Sequence, residues 1–183
     1  MNATVGLETG VLARAIGAAL LRPDVYENIE ADRSATGQAA TVVLVVALAS
    51  AIAAYNAGTG AIIGSVIGAF VNWAIFAAVT NFIGTRVFGG HADWGELLRT
   101  LGFAQAPGVF LLLTAVPFLG GLAAIVVALW TLAACIVAIR QALDFTTGRA
   151  VLTAIIAAMA IIAVTLIVGA ITGFSLGGVR TIT

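Results

Sequence analysis

Five long apolar runs joined by short polar links set the pattern of this chain. They lie at about 39–56, 60–83, 97–117, 119–140 and 150–172. A helix needs roughly 20 mostly apolar residues to cross a bilayer, with about 17 as a lower limit. Each run therefore predicts a spanning helix, the first being short. The third, "LLRTLGFAQAPGVFLLLTAVP", holds Gln105 and Pro107. Proline removes an internal hydrogen bond and kinks a helix, a break that membranes tolerate where neighbours satisfy the freed carbonyl. This predicts a tilted or kinked third span, entered through an amphipathic turn at Asp93–Arg99. A re-entrant hairpin made of runs three and four is the alternative.

The first 38 residues are different. Residues 5–21 predict a helix with Val5, Leu12, Ile16 and Leu20 on an apolar face and Gly10, Arg14 and Gly17 opposite. It is too short and too charged to span, so the expectation is a helix lying in the membrane interface. Pro23 restarts a helix, with Asp24 and Glu27 in its first turn, where carboxylates suit the dipole. That segment, net acidic to Arg33, is expected to be a solvated helix. The start of the chain lacks the basic opening of a signal peptide.

Composition makes the membrane reading firm. The chain is 62% hydrophobic and 9% charged over 183 residues, against about 25% charged in a soluble domain. No basic run suits nucleic acid. The fold class expected is an all-α integral membrane protein, a five-helix bundle. It divides into an N-terminal segment (1–38), the membrane domain (39–172) and a tail (173–183).

Arginine placement orients it. Lysine is absent, and seven of the eight arginines fall on one side of this topology: Arg14, Arg22, Arg33, Arg86, Arg99, Arg140 and Arg149. The links "NAGTG" and "PFLGG" are uncharged. Positive residues mark the cytoplasmic side, so the N-terminus is expected inside and the C-terminus outside. The arginine and alanine bias suggests a bacterial source, hence the inner membrane.

Candidate chemistry is thin. "GFSLG" (173–177) matches the G-x-S-x-G elbow, which needs a strand before it and a helix after it. His91 is the only histidine, and this topology puts it on the opposite side of the membrane from Ser175. A serine with no base in reach is not activated, so the match is read as chance. His91, near Asp93 and Glu96, reads as a solvated loop histidine. One histidine and Cys135 cannot build a zinc site. No catalytic residue, metal or cofactor is expected.

The clearest pattern within a run is in the second. Gly60, Gly64, Gly68, Asn72, Phe76, Thr80 and Gly84 recur every four residues. Small residues at that spacing let helices approach closely, and a polar side chain can bond across. Gly60, Gly64, Gly68 and Asn72 are the expected packing face, with a partner in this chain or in another copy.

In its bacterial form, the Yip family of Ypt/Rab-interacting membrane proteins is what the chain resembles. The likeness rests on "LLRPDVYENIE" (20–30), "FGG" (88–90), "ELLRTLGFAQAP" (96–107), "VPFLG" (116–120) and the Trp130 helix running to "ALD" (142–144). Gly102, Phe103 and Pro107 fall at the family's Gly-aromatic and Pro positions. The resemblance implies a cytoplasmic N-terminal segment, five spans and no catalytic residues. The Asp-Leu-Tyr-Gly-Pro element of eukaryotic members is absent, with Asp24-Val25-Tyr26 in its place, so small-GTPase binding is not carried over. The expected function is a non-enzymatic membrane scaffold or adaptor. Its partners would be the lipid bilayer and a second copy or other membrane proteins. The alternative is a small transporter or lipid-translocating protein that uses the kinked third span. One cavity holding Asn72, Asn81 and Gln105 would favour that alternative.

Overall fold

A computed structural model describes residues 10–53, 59–116 and 118–172. Among them every regular element is helical. In order they are α1 (Val11–Ala19), α2 (Pro23–Ala31), α3 (Ala35–Ala53), α4 (Thr59–Arg86), α5 (Trp94–Phe103), the 3-10 helix η1 (Ala106–Ala115), α6 (Gly120–Ala142) and α7 (Thr147–Thr172). Four segments are long and apolar enough to cross a membrane: Ala35–Ala53, Ile63–Arg86, Trp94–Ala115 and Gly120–Ala142. A shorter apolar stretch, Thr147–Ala163, lies in α7. The expected tail, 173–183, and "GFSLG" lie outside the described residues.

The third run is not one kinked helix. It is two helices of different type, the first starting at Trp94. Asp93 and Glu96 form a capping box: Asp93 Oδ1 accepts from the Glu96 amide at 2.7 Å, and Glu96 Oε2 from the Asp93 amide at 2.8 Å. Pro107 has no amide to offer the Phe103 carbonyl, so α-helical pairing stops there. The chain continues as η1, packed between α3 and α6. A 3-10 helix rises about 2.0 Å per residue against 1.5 Å, so ten residues reach about 20 Å, and α5 adds about 15 Å. Together they match a bilayer core of about 30 Å.

The N-terminal segment departs further from expectation. α1 and α2 form a tight hairpin. Leu21 closes α1 in the left-handed region (φ 60°), and the Arg22 amide donates to Gly17 at 3.1 Å and the Leu21 amide to Ala18 at 3.0 Å. This is the Schellman closure, with leucine where glycine is usual. Gly17 makes the hairpin possible, since a Cβ there would come 2.7 Å from Val25.

α1 has the two faces expected of it, and the polar one is packed against the bundle. Arg14, Gly17 and Ala18 pack inward, and Leu12 (71% exposed), Ile16 and Leu20 point out. In lipid an apolar face costs nothing outside, whereas an arginine must find partners. α2 is not a solvated helix either, because Tyr26 and Ile29 are fully buried against α5 and α6.

Candidate functional site

Buried polar groups cluster at the arginine-bearing end. Arg14, 4% exposed, pairs with Asp32 at 2.7 Å and donates to Gln38 Oε1 at 3.1 Å. Asp32 also accepts from the Ser34 hydroxyl and amide, at 2.6 and 2.9 Å. The Ser34 hydroxyl first, then Arg14, hold its carboxyl down to about 2. Arg99, 5% exposed, reaches α2 and donates to the Ile29 and Glu30 carbonyls at 3.3 and 2.5 Å. A cation at a helix C-terminus satisfies carbonyls that have no intrahelical partner and suits the dipole. The Tyr26 hydroxyl donates to Ala18 at 3.1 Å and Trp130 Nε1 to Ala19 at 2.6 Å. The hairpin is thus tied to three other elements, α3, α5 and α6.

Beside Arg99 opens a cavity of about 410 Å³ with Glu27, Glu30, Glu96, Asp144, Arg140 and Gln141 in its wall. Gln141 donates to Glu27 at 2.7 Å and accepts from Arg140 Nε at 3.0 Å. Glu30 is pushed up to about 7, first by burial, then by repulsion from Glu96 and Asp144, with Arg99 opposing. This wall of four carboxylates and one guanidinium holds a proton near neutrality. No Ser, Thr, Cys or Lys is among its described lining residues.

Deeper down, Asn72, Gln105 and Thr131 line two adjoining cavities of about 340 and 270 Å³. Ser50 and Ser65 complete the polar part of the second. Asn81 is elsewhere, donating to the Ala92 carbonyl at 2.9 Å. Two of the three expected amides therefore share a cavity.

Among the described residues nothing covers the glycine face of α4. A Cβ at Gly64 or Gly68 would meet nothing within 4 Å, and Asn72 beside them is exposed. Gly60 lies in α4, but its surroundings are outside the described residues. The crowded member of that series is Gly84, whose Cβ would strike Leu143. Close backbone approach falls at other glycines too. A Cβ at Gly102 would lie 2.7 Å from Ala39 Cβ and 3.0 Å from Trp73, and one at Gly108 would lie 2.5 Å from Val46. Phe103 and Pro107 are buried on either side of the α5–η1 break. Gly102, Phe103 and Pro107 thus form the packing joint of the third span.

His91 is exposed in the α4–α5 loop. Among the described residues no group of three His, Cys, Asp or Glu side chains could hold a metal. Sequence reasoning missed the buried roles of Arg14, Arg99, Tyr26 and Glu30. One signal was present for Arg14, which shares its face with Gly17 and so with a close helix contact.

A family model described as the Yip1 domain matches residues 17–169. No curated protein matches, and no solved structure does.

Proposed function

The chain belongs to the Yip1 domain family, and from that membership we propose that it is a non-catalytic scaffold or adaptor that works by helix association in the bacterial inner membrane. It is a multi-pass membrane protein, and this reading gives it five spans with the N-terminus inside and the C-terminus outside. A second copy is the simplest partner, other membrane proteins the next. No small-GTPase role is assigned, and Tyr26 of the Asp24-Val25-Tyr26 stretch is fully buried.

One observation carries the proposal. Gly64 and Gly68 present a close-packing face that no described residue covers, with Asn72 exposed at its edge. In lipid, helices associate through packing and interhelical hydrogen bonds rather than hydrophobic drive. Two α4 helices meeting at the glycines would bring two Asn72 amides together, and each amide both donates and accepts.

The test is oxidative crosslinking in membranes of Gly68→Cys on a Cys135→Ala background. A disulfide-linked dimer is expected. Adding Gly64→Leu should remove it, since overpacking costs about 1–3 kcal/mol, and the melting temperature of the monomer in detergent should stay unchanged. Asn72→Leu should weaken the dimer less, because interhelical hydrogen bonds average about 0.6 kcal/mol in membranes. No crosslink at Gly68 would overturn the reading.

The cavities shared by Asn72, Gln105 and Thr131 favour a second reading, a lipid-translocating protein. Purified protein in vesicles would then scramble a fluorescent lipid, and Gln105→Leu would slow it. Absence of scrambling would end that reading.

A further inference from the structure

The α1–α2 hairpin sits beside the bundle at one end only, at the depth of the bilayer. Its tip is placed by the bond from Trp130 to Ala19. Trp130 lies twelve residues before the end of α6, about 18 Å along the axis at 1.5 Å per residue. A bilayer core is about 30 Å thick, so α1 reaches into one leaflet only, while the exposed Arg22–Asp24 pair and Glu27, bonded to Gln141 at the end of α6, hold α2 toward the headgroups.

The lipid-facing belt records the same asymmetry. On α4 exposed apolar side chains continue to Phe82, four residues from the arginine end, and on α7 they begin at Leu152, five residues in. On α3 and α6 they stop short. The first on α3 is Leu44, nine residues in, and the last on α6 is Leu132, ten residues before the end. The hairpin packs against α3, α5, η1 and α6 in that gap.

Its own outer surface has two characters. α1 shows Leu12, Ile16 and Leu20, and α2 shows Asp24, Glu27 and Asn28 with the exposed Arg22–Asp24 ion pair. An apolar strip beside a charged one suits the boundary between headgroups and acyl chains. The α1 strip also continues the apolar surface of α3 at Leu44, Val45 and Leu48 through a wholly apolar cleft lined by Leu12, Ile16, Val42 and Val45.

We infer that this chain is a membrane wedge: the α1–α2 hairpin takes up area in the leaflet on the arginine side alone, so the protein favours bilayers that are convex toward that side. Among the described residues seven helices cross the arginine-side level, against five at the other, counting η1 with α5 as one rod. A helix is about 10 Å across, so the two extra rods displace roughly 160 Å² of lipid from one leaflet. The inference goes beyond the scaffold reading and does not depend on a dimer.

The test uses the full chain carrying Cys135→Ala and His91→Cys, with the new thiol in the exposed α4–α5 loop. The protein is reconstituted into uncharged phosphatidylcholine vesicles of roughly 40 and 400 nm diameter, since interfacial helices respond to curvature. An impermeant maleimide reports the fraction with the arginine end outward. That fraction should be at least about 1.5-fold higher in the small vesicles, and Leu12→Ser/Ile16→Ser/Leu20→Ser should flatten the difference. This variant leaves the inward contacts of Arg14 and Gly17 in place. Equal fractions in the two sizes would overturn the inference. So would a folded triple variant that kept the full size dependence. If the triple variant fails to fold, the size dependence of the parent protein alone decides.

Discussion

Arg99 and Glu30 show how much of this molecule turns on single side chains. Arg99 satisfies the last carbonyls of α2, and its charge holds down a carboxyl that burial and three neighbouring carboxylates push up. Glu30 ordinarily titrates at 4.5 and here at about 7. The folded chain therefore holds a proton that the unfolded chain has released, and this group's stabilisation fades as pH rises from 4.5 through 7. Melting in detergent should reveal it as a fall across that window that Glu30→Gln lacks. Asp32 acts with the opposite sign, its contribution vanishing as pH falls from 3.8 through about 2. Asp144→Asn removes one repelling carboxylate and keeps a residue that tolerates the left-handed backbone there (φ 53°). Glu30 should then titrate at lower pH, a shift readable by carboxyl NMR. Gly102→Ala should lower stability by about 1–3 kcal/mol as overpacking, because Ala39 and Trp73 already occupy the space. Gly64→Ala is the control. None of this was legible beforehand, since a one-letter code does not say which of eight arginines finds a carbonyl.

At the level of elements, legibility followed hydropathy. The runs that became α4 and α6 were readable almost to the residue, because an unbroken apolar stretch in lipid has no alternative to the helix. α3 begins at Ala35 rather than near residue 39. Ala35–Gln38 are helical but less apolar, so hydropathy missed them. The third span was readable as broken at Pro107 but not as a change of helix type, which depends on packing between α3 and α6. A 3-10 helix has poorer hydrogen-bond geometry than an α-helix. Amides of Val109–Thr114 should therefore exchange hydrogen faster than those of Val127–Ala138 in α6, by mass spectrometry in detergent. Equal protection would mean that neighbours stiffen η1 as well as hydrogen bonds stiffen α6. The two faces of α1 were readable from their spacing, since Leu12, Ile16 and Leu20 point outward where the solvent is hydrocarbon. The buried side of α2 was not, because a net acidic helix gives little sign that Tyr26 and Ile29 pack inward.

For the whole molecule, the arginines predict a topology that can be checked directly. Alkaline phosphatase fused after Gly58, Leu119 or Arg180 should be active, and after Ala35, Ala92 or Phe145 inactive. An active fusion at Ala92 would overturn the five-span arrangement. The bonds that fix the hairpin also impose an order of events. α1 and α2 are made before the groups that anchor them: Gln38 follows Arg14 by 24 residues, Arg99 follows Glu30 by 69 and Gln141 follows Glu27 by 114. Chains grow at about 5–20 residues per second, so the hairpin waits roughly 1–5 s for Gln38, 3–14 s for Arg99 and 6–23 s for Gln141. Through that interval the ribosome-bound chain carries a charged hairpin with no bundle to hold it, and the insertion machinery or the membrane surface must shelter it until the fourth span arrives.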